Sequence, residues 1–357
     1  MNWPAALRTK TRRVFALFAL AELTLVTAVL FLTVAGVHSV LDSRSGIFVS
    51  QVGPSEPGWR AHVEPSSVTV IVEQYQGETV GVAFATHKQG VDGGYIALFS
   101  SRMKVGDSTF AELDPEAIAD ELSTTLRLRI DDVLVVDEAT WPEVLGRETY
   151  EITNPDFVSA DQSDGFEVGS VTLDGENTGR FIGLKDPNAD PAVLLVRQAL
   201  VWTALVDRPP ENGHRLAAKL GQLSGGPVDV FPFPAGDSDP AFDDGNVEEL
   251  LRRAVPFPAG AVPDHRVRVR IFDRTGSADL ILIAAQLGAE GYEVVEMGNA
   301  DVFDDGPSEL FVPSTWIGPD SGELEEYVEL PVQIEEANEP ESVATIVIGN
   351  DFALLSA

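Results

Sequence analysis

The sequence predicts an α/β protein with a single transmembrane helix at its amino-terminal end and two α/β units behind it. Three observations carry that expectation. Residues Val14 to Val37 form an apolar run of 24 residues with one charge, Glu22. From Ser67 onward, β-branched and apolar runs of strand length alternate with stretches whose apolar residues recur at helical spacing. A Pro-, Gly- and Asp-rich stretch at 235–264 then precedes a final segment that opens abruptly, after His265, on the alternating RVRVRIF.

At about 1.5 Å per residue, the apolar run is long enough to cross a hydrocarbon core of roughly 30 Å. Arg8, Lys10, Arg12 and Arg13 lie just before it, and the stub 1–13 contains no acid. Cytoplasmic flanks attract Lys and Arg, so the stub is expected inside the cell and everything after Val37 outside it. A cleaved signal peptide is the rival reading. Its apolar core would span about 7–15 residues, shorter than this one, although VAGVHS resembles a poor cleavage site. Glu22 is costly at that depth unless it is neutral, snorkelling or paired with a partner helix.

Residues 38–66 are mixed and read as a tether or a first short strand. SVTVIVEQ, ETVGVAFAT and GYIALFSS read as three strands, with turn signals at Gln76-Gly77 and at Gly90 to Gly94. A helix follows, with Asp114 as its N-cap, Pro115 at its first position, and Ile118, Leu122 and Leu126 along one face. IDDVLVVDEATWPEVL reads as a strand and a short helix, VTLDGENTGRFIGL as strand and turn, and PAVLLVRQALVWTALV as a strongly apolar helix. GQLSGG (221–226) reads as a loop, and VEELLRR as one short helix within the linker. After His265 come a strand, a helix (ADLILIAAQLGAEG), a strand (YEVVEMG) and two or three more strands.

Composition excludes several functions. Four of the 24 Lys and Arg residues sit in the stub, so the rest of the chain sets 20 bases against 57 acids. Such a surface repels nucleic acid, whose phosphates need clustered Lys and Arg. The chain has no cysteine, which removes disulfides, thiolate metal sites and cysteine nucleophiles together, and suits a bacterial envelope. The five histidines are scattered without metal-ligand spacing, and no nucleophile elbow, P-loop or dinucleotide fingerprint occurs. The acidic stretches DSDPAFDDGN and DVFDDG lack the spacing of a calcium loop and read as solvated loops.

RVRIFDRTG (268–276), LGAEGYEVVEMGNAD (287–301) and TIVIGNDF (345–352) resemble, in that order, the typical pieces of the LytR C-terminal domain family. Asp273 and Arg274 stand where that family has Asn-Gly, while Thr275 and Gly276 match. With residues 265–357 so placed, residues 67–234 resemble the LytR-CpsA-Psr domain. ETVGVAFAT followed by GYIALFSSRM matches its hairpin, and residues 114–146 match the helix, strand and helix that follow. LDGENTGRF (173–181) and VRQALV (196–201) match its later signatures. The resemblance implies an α/β sheet enclosing an apolar tunnel for a polyprenyl chain. It also implies Mg²⁺-dependent transfer of glycopolymers from a polyprenyl pyrophosphate carrier to peptidoglycan.

Transfer of that kind needs cations around the phosphates and carboxylates for the metal. By the resemblance, Glu78 stands at an Asp position and is the candidate metal ligand. Arg102, Lys185, Arg197 and Gln198 are the candidate polyprenyl-phosphate ligands, with Glu78 and Arg102 the candidates for catalysis. Other family positions differ: Gln76, Gly183 and Leu194 replace arginines, Lys185 replaces another, and Met103 replaces an Asp. Without the resemblance, Glu78 reads as solvated, Arg102 as a surface residue, Arg197 as a structural cation paired with an acid, and helix 193–205 as core. Taking one charged hydrogen bond away from a buried phosphate site costs about 1.5–3 kcal/mol, so several such replacements remove decades of rate. The expected function is a non-catalytic binding or accessory component of cell-wall glycopolymer assembly. An active Mg²⁺-dependent phosphotransferase and a structural scaffold for partner proteins are the alternatives.

Overall fold

The computed structural model describes residues 52–87, 93–159, 165–184, 191–233, 241–262, 266–313, 332–335 and 343–352. The apolar run 14–37, with Glu22, falls outside them. Among the described residues, no helix is long and apolar enough to cross a membrane.

The first strand, β1 (Arg60–His62), joins a distal sheet described below. Strands β2 (Ser67–Tyr75), β3 (Glu78–His87) and β4 (Gly94–Ser100) form an antiparallel meander. A ribbon of β5 (Lys104–Val105) and β6 (Ser108–Thr109) leads to helix α1 (Pro115–Thr125), strand β7 (Asp132–Val136) and helix α2 (Trp141–Leu145). Strands β8 (Tyr150–Asn154), β9 (Val158–Ser159), β10 (Gly165–Phe166) and β11 (Gly169–Leu173) make two small ladders, β8 with β11 and β9 with β10. Helices α3 (Thr178–Gly183), α4 (Pro191–Asp207) and α5 (Arg215–Leu223) follow, then strand β12 (Val228–Pro232) and helix α6 (Asp244–Ala254). β7 adds in parallel to β2, and β12 in parallel to β4, giving a five-stranded sheet in the order β12-β4-β3-β2-β7.

Both faces of this sheet are covered, which is why its strands read as near-continuous apolar runs instead of alternating ones. On one face Val68, Val70, Phe84 and Phe99 pack under α1 and α6. On the other, Ile71, Ala83, Ile96 and Leu98 pack under α4, with Trp141 and Trp202 buried among them. Asp114 Oδ1 accepts from Ala117 N–H at 2.8 Å, the cap expected for α1. The stretch 235–264 does more than link. Leu250, Leu251 and Ala254 of α6 are buried in the central core, because this amphipathic helix needs a surface for its apolar stripe. α3 occupies a stretch read as turn, and α5 ends inside GQLSGG (221–226), read as a loop. TGRFIG carries two glycines in six residues, which hides its helix from propensity.

The distal sheet contains β13 (Val267–Asp273), β14 (Tyr292–Asn299), β15 (Glu309–Pro313), β16 (Val332–Glu335) and β17 (Ala344–Ile348), with helix α7 (Leu280–Ala289) between the first two. The expected strand-helix-strand order and all three further strands are present. The sheet order is β1-β14-β13-β17-β15-β16, so residues from before the central sheet supply one edge. Asn299 fixes that edge: its Nδ2 donates to the carbonyls of Pro54 and Glu56 at 2.8 Å each. Arg60 returns a bond to the Asn299 carbonyl at 2.6 Å.

Arg266 links the two halves. Its guanidinium donates to Leu126 and Arg127 carbonyls at the end of α1, at 3.0 and 2.7 Å, and to Gly288 and Tyr292 carbonyls around the end of α7, at 2.6 and 3.3 Å. Helix carboxyl ends carry unsatisfied carbonyls and partial negative charge, so one cation serves two of them. Burial lowers the Arg266 pKa to about 10, with Glu293 opposing the shift. Arg266→Met is expected to destabilise the chain by about 3 kcal/mol or more, because it orphans several buried carbonyls at once. Arg266→Lys should recover only part of that loss, since an ammonium lacks the planar fork. Urea unfolding midpoints measure both.

Candidate functional site

The candidate residues gather around the end of the sheet where β2 turns into β3. Gln76 and Gly77 have φ of 54° and 78°, the left-handed pair that a tight hairpin turn requires, and the Gln76 N–H donates to Glu138 Oε2 at 3.0 Å. The turn delivers Glu78 to the first position of β3, exposed and in register with Tyr75. At the end of β4 the chain turns again. Arg102 is exposed, and its N–H donates to Ser100 Oγ at 3.2 Å. Met103 is fully buried beside Phe99 and Phe110 in the central core.

Arg197 and Gln198 are buried on α4. The Arg197 guanidinium turns to the end of α3, where it donates to Phe181 and Leu184 carbonyls at 2.7 and 2.5 Å and stands 5.6 Å from the centre of the Phe181 ring. Burial pulls its pKa down to about 10, with Asp156 raising it slightly, so it remains a cation at neutral pH. The bare sequence reading paired this arginine with an acid; its hydrogen-bond partners are main-chain carbonyls. Gln198 reaches the sheet, where Nε2 donates to the Val80 carbonyl at 3.3 Å. Lys185 falls outside the described residues.

The structure therefore brings Gln198 against the strand that begins with Glu78, while Arg197 is spent on holding α3. Position 183 is closed as well. A β-carbon built on Gly183 would collide with Tyr75, so no longer side chain fits there while Tyr75 keeps its place. Nor do the described residues around Glu78 form a set that suits a divalent cation. Glu78 stands at the rim, the next carboxylate position is Met103 in the aromatic core, and no group of three or more His, Asp or Glu among the described residues has metal-binding geometry. Beside α4 lies a small apolar crevice, lined by residues including Leu145, Tyr150, Leu173, Val201 and Leu205, with no room for even a water molecule.

One residue of the site escaped sequence reasoning. Glu73, in the middle of an apolar strand, is 1 % exposed and accepts a hydrogen bond from Trp202 Nε1 through Oε1, while Oε2 has no hydrogen-bond partner. Burial pushes its carboxyl up to about 7, against the pull of the Trp202 indole. The available signal was alternation: Thr69, Ile71 and Glu73 share a face opposite Val68, Val70 and Val72, and both faces of that strand lie in core.

No family model matches this chain, and no curated protein matches it. Its neighbours among solved structures include LytR-CpsA-Psr proteins. TagV of B. subtilis is 14% identical, over 52% of this chain and 93% of its own, with a TM-score of 0.39. A LytR-CpsA-Psr enzyme from Actinomyces oris is 14% identical over 53% of this chain and 90% of its own, with a TM-score of 0.41. B. subtilis TagT, solved with bound octaprenyl pyrophosphate lipid, is 14% identical over 57% of this chain and 90% of its own, with a TM-score of 0.37.

Gly183→Ala is expected to cost about 2 kcal/mol by overpacking, and less in a Tyr75→Ala background, as a double-mutant cycle in urea would show. For Glu73, a folded-state pKa raised from 4.5 to about 7 means stability that is fully present below the lower value and lost as pH rises through the upper one. Glu73→Gln removes this titration. Relative to the parent, the variant should gain about 3 kcal/mol on going from acid to alkaline pH, measured from unfolding midpoints at each.

Proposed function

We propose that this chain is a membrane-anchored, extracytoplasmic component of bacterial cell-envelope biogenesis that binds within cell-wall glycopolymer assembly without catalysing transfer. The anchor rests on the apolar run 14–37 and the basic stub before it; the envelope setting rests on the family resemblance of residues 67–234 and 265–357 and on the lack of cysteine. The observation that carries the non-catalytic part is the commitment of Arg197 to the Phe181 and Leu184 carbonyls. A guanidinium stabilises a phosphoryl transition state by aiming free N–H groups at the charge that develops there. Here the terminal nitrogens of Arg197 aim at main-chain oxygens, and Tyr75 fills the space beside Gly183.

The ligand class that fits this reading is a polyprenyl-phosphate-linked glycan, met by Arg102 at the rim and by Lys185 where the sequence places it, with Gln198 behind them. Full-length chain in detergent, given a polyprenyl-pyrophosphate-linked glycan, peptidoglycan fragments and Mg²⁺, should yield no glycan-peptidoglycan adduct. Mg²⁺-dependent adduct formation that vanishes in Arg197→Ala would establish an active transferase instead. For the topology, protease added outside intact bacterial spheroplasts should remove a carboxyl-terminal tag. A tag protected until the membrane is opened would end the envelope assignment.

A further inference from the structure

The unpartnered oxygen of Glu73 has a neighbour that can use a proton. Strand β2 shifts register between Glu73 and Gln74, and Glu73 pairs with Gly81 on β3. Gly81 leaves room for two side chains. A β-carbon built there would stand 2.8 Å from Glu73 Oε2, 2.9 Å from Gln198 Oε1 and 2.5 Å from Gln198 Nε2. Gln198 Nε2 is turned to the Val80 carbonyl, which leaves Oε1 as its remaining acceptor. Glu73 Oε2 and Gln198 Oε1 both border the space that Gly81 leaves in a desolvated core, and neither carries a hydrogen of its own while Glu73 is ionised. With both lone-pair sets bare they repel; one proton on Oε2 turns the repulsion into a hydrogen bond.

We infer that Glu73 is a positioning residue held as a neutral carboxylic acid, donating from Oε2 to Gln198 Oε1. This closes a buried relay from the Trp202 indole through Glu73 and Gln198 to the Val80 carbonyl. The relay ties α4 to the meeting of β2 and β3 and so sets where Gln198 and the adjoining Arg197 stand. Loss of the proton leaves a buried carboxylate facing an amide oxygen and loosens α4 from the sheet. The inference is independent of whether the site transfers phosphate.

The charged groups on the surrounding elements are engaged elsewhere. Arg197 on α4 is bound to α3 carbonyls, and Arg180 on α3 stacks 4.8 Å over the Phe166 ring. Past the end of β7, Asp137 accepts from Thr140, and Glu138 accepts from the Gln76 N–H. Asp132 at the other end of β7 pairs with Arg215, and Glu78 on β3 is exposed beside Tyr75. The proton on Glu73 is thus governed by burial and by its own two partners, in keeping with the direction of its pKa shift.

The test uses full-length chain in detergent with ¹⁵N-labelled indoles, the Trp202 resonance being assigned by its loss in Trp202→Phe. The Trp202 Nε1–H signal should shift between about pH 5 and about pH 9 with a midpoint near 7, and Glu73→Gln should abolish the shift. Infrared spectra at about pH 6 should show a protonated carboxyl stretch that Glu73→Gln removes. After correction for intrinsic rates, hydrogen exchange in residues 191–207 should accelerate at alkaline pH in the parent and stay constant in Glu73→Gln, whose amide reproduces the protonated donor. A static indole signal in the parent, or one that titrates identically in Glu73→Gln, would overturn the inference. Should the variant fail to fold, the parent's indole titration and carboxyl band decide the matter alone.

Discussion

The guanidinium of Arg266 and that of Arg197 solve the same problem, and the arrangement of the chain depends on the solution. Each is a buried cation in a strongly acidic protein, yet none of their hydrogen bonds goes to a carboxylate; each donates to carbonyls around helix carboxyl ends. A buried ion pair has to offset the desolvation of two charges, whereas a cation against oriented carbonyls offsets one and satisfies oxygens that the helix leaves open. Arg266 does this across the boundary between the central and distal sheets. Arg197 does it within the central unit, where it seats the short, glycine-containing α3 against α4.

That local economy reaches into function. The N–H groups that Arg197 gives to the Phe181 and Leu184 carbonyls are not open to a phosphate at the same time, while its buried Nε–H has no hydrogen-bond partner. Near Arg197, Gly183 admits Tyr75; on the opposite face of the sheet, Met103 joins an aromatic cluster with Phe99 and Phe110.

How much of this was legible in the sequence depends on how local each cause is. The strands β2 to β4 announced themselves because burial on both faces forces apolar runs, and α1 because Asp114 and Pro115 mark its start. β1 gave a weaker signal, a stretch read as a tether or a first short strand: three residues beside Gly and Pro become a strand only through partners on β14, and Arg60 and the Asn299 carbonyl it binds are 239 residues apart. α6 looked like part of a solvated linker because its apolar stripe has meaning only once α7 and the central sheet supply a surface. At the site, the motif residues were found by resemblance, but their use was not. Whether Arg197 faces a ligand or a carbonyl is a matter of side-chain direction, which spacing does not encode. Glu73 was passed over because one acid among β-branched neighbours does not disturb a strand pattern.

The β1 edge carries a consequence for synthesis. Residues 60–62 emerge from the ribosome well before β13 and β14 exist, so the outer sheet stays open along one side until nearly the whole chain has been made. Closing it demands a very long loop, whose entropy grows only slowly with length but must be met before any ladder bond forms. The central unit, with more local contacts, has time to form first and to present Leu126 and Arg127 as a ready dock. Maturation then finishes with the first described strand captured by one made more than two hundred residues later.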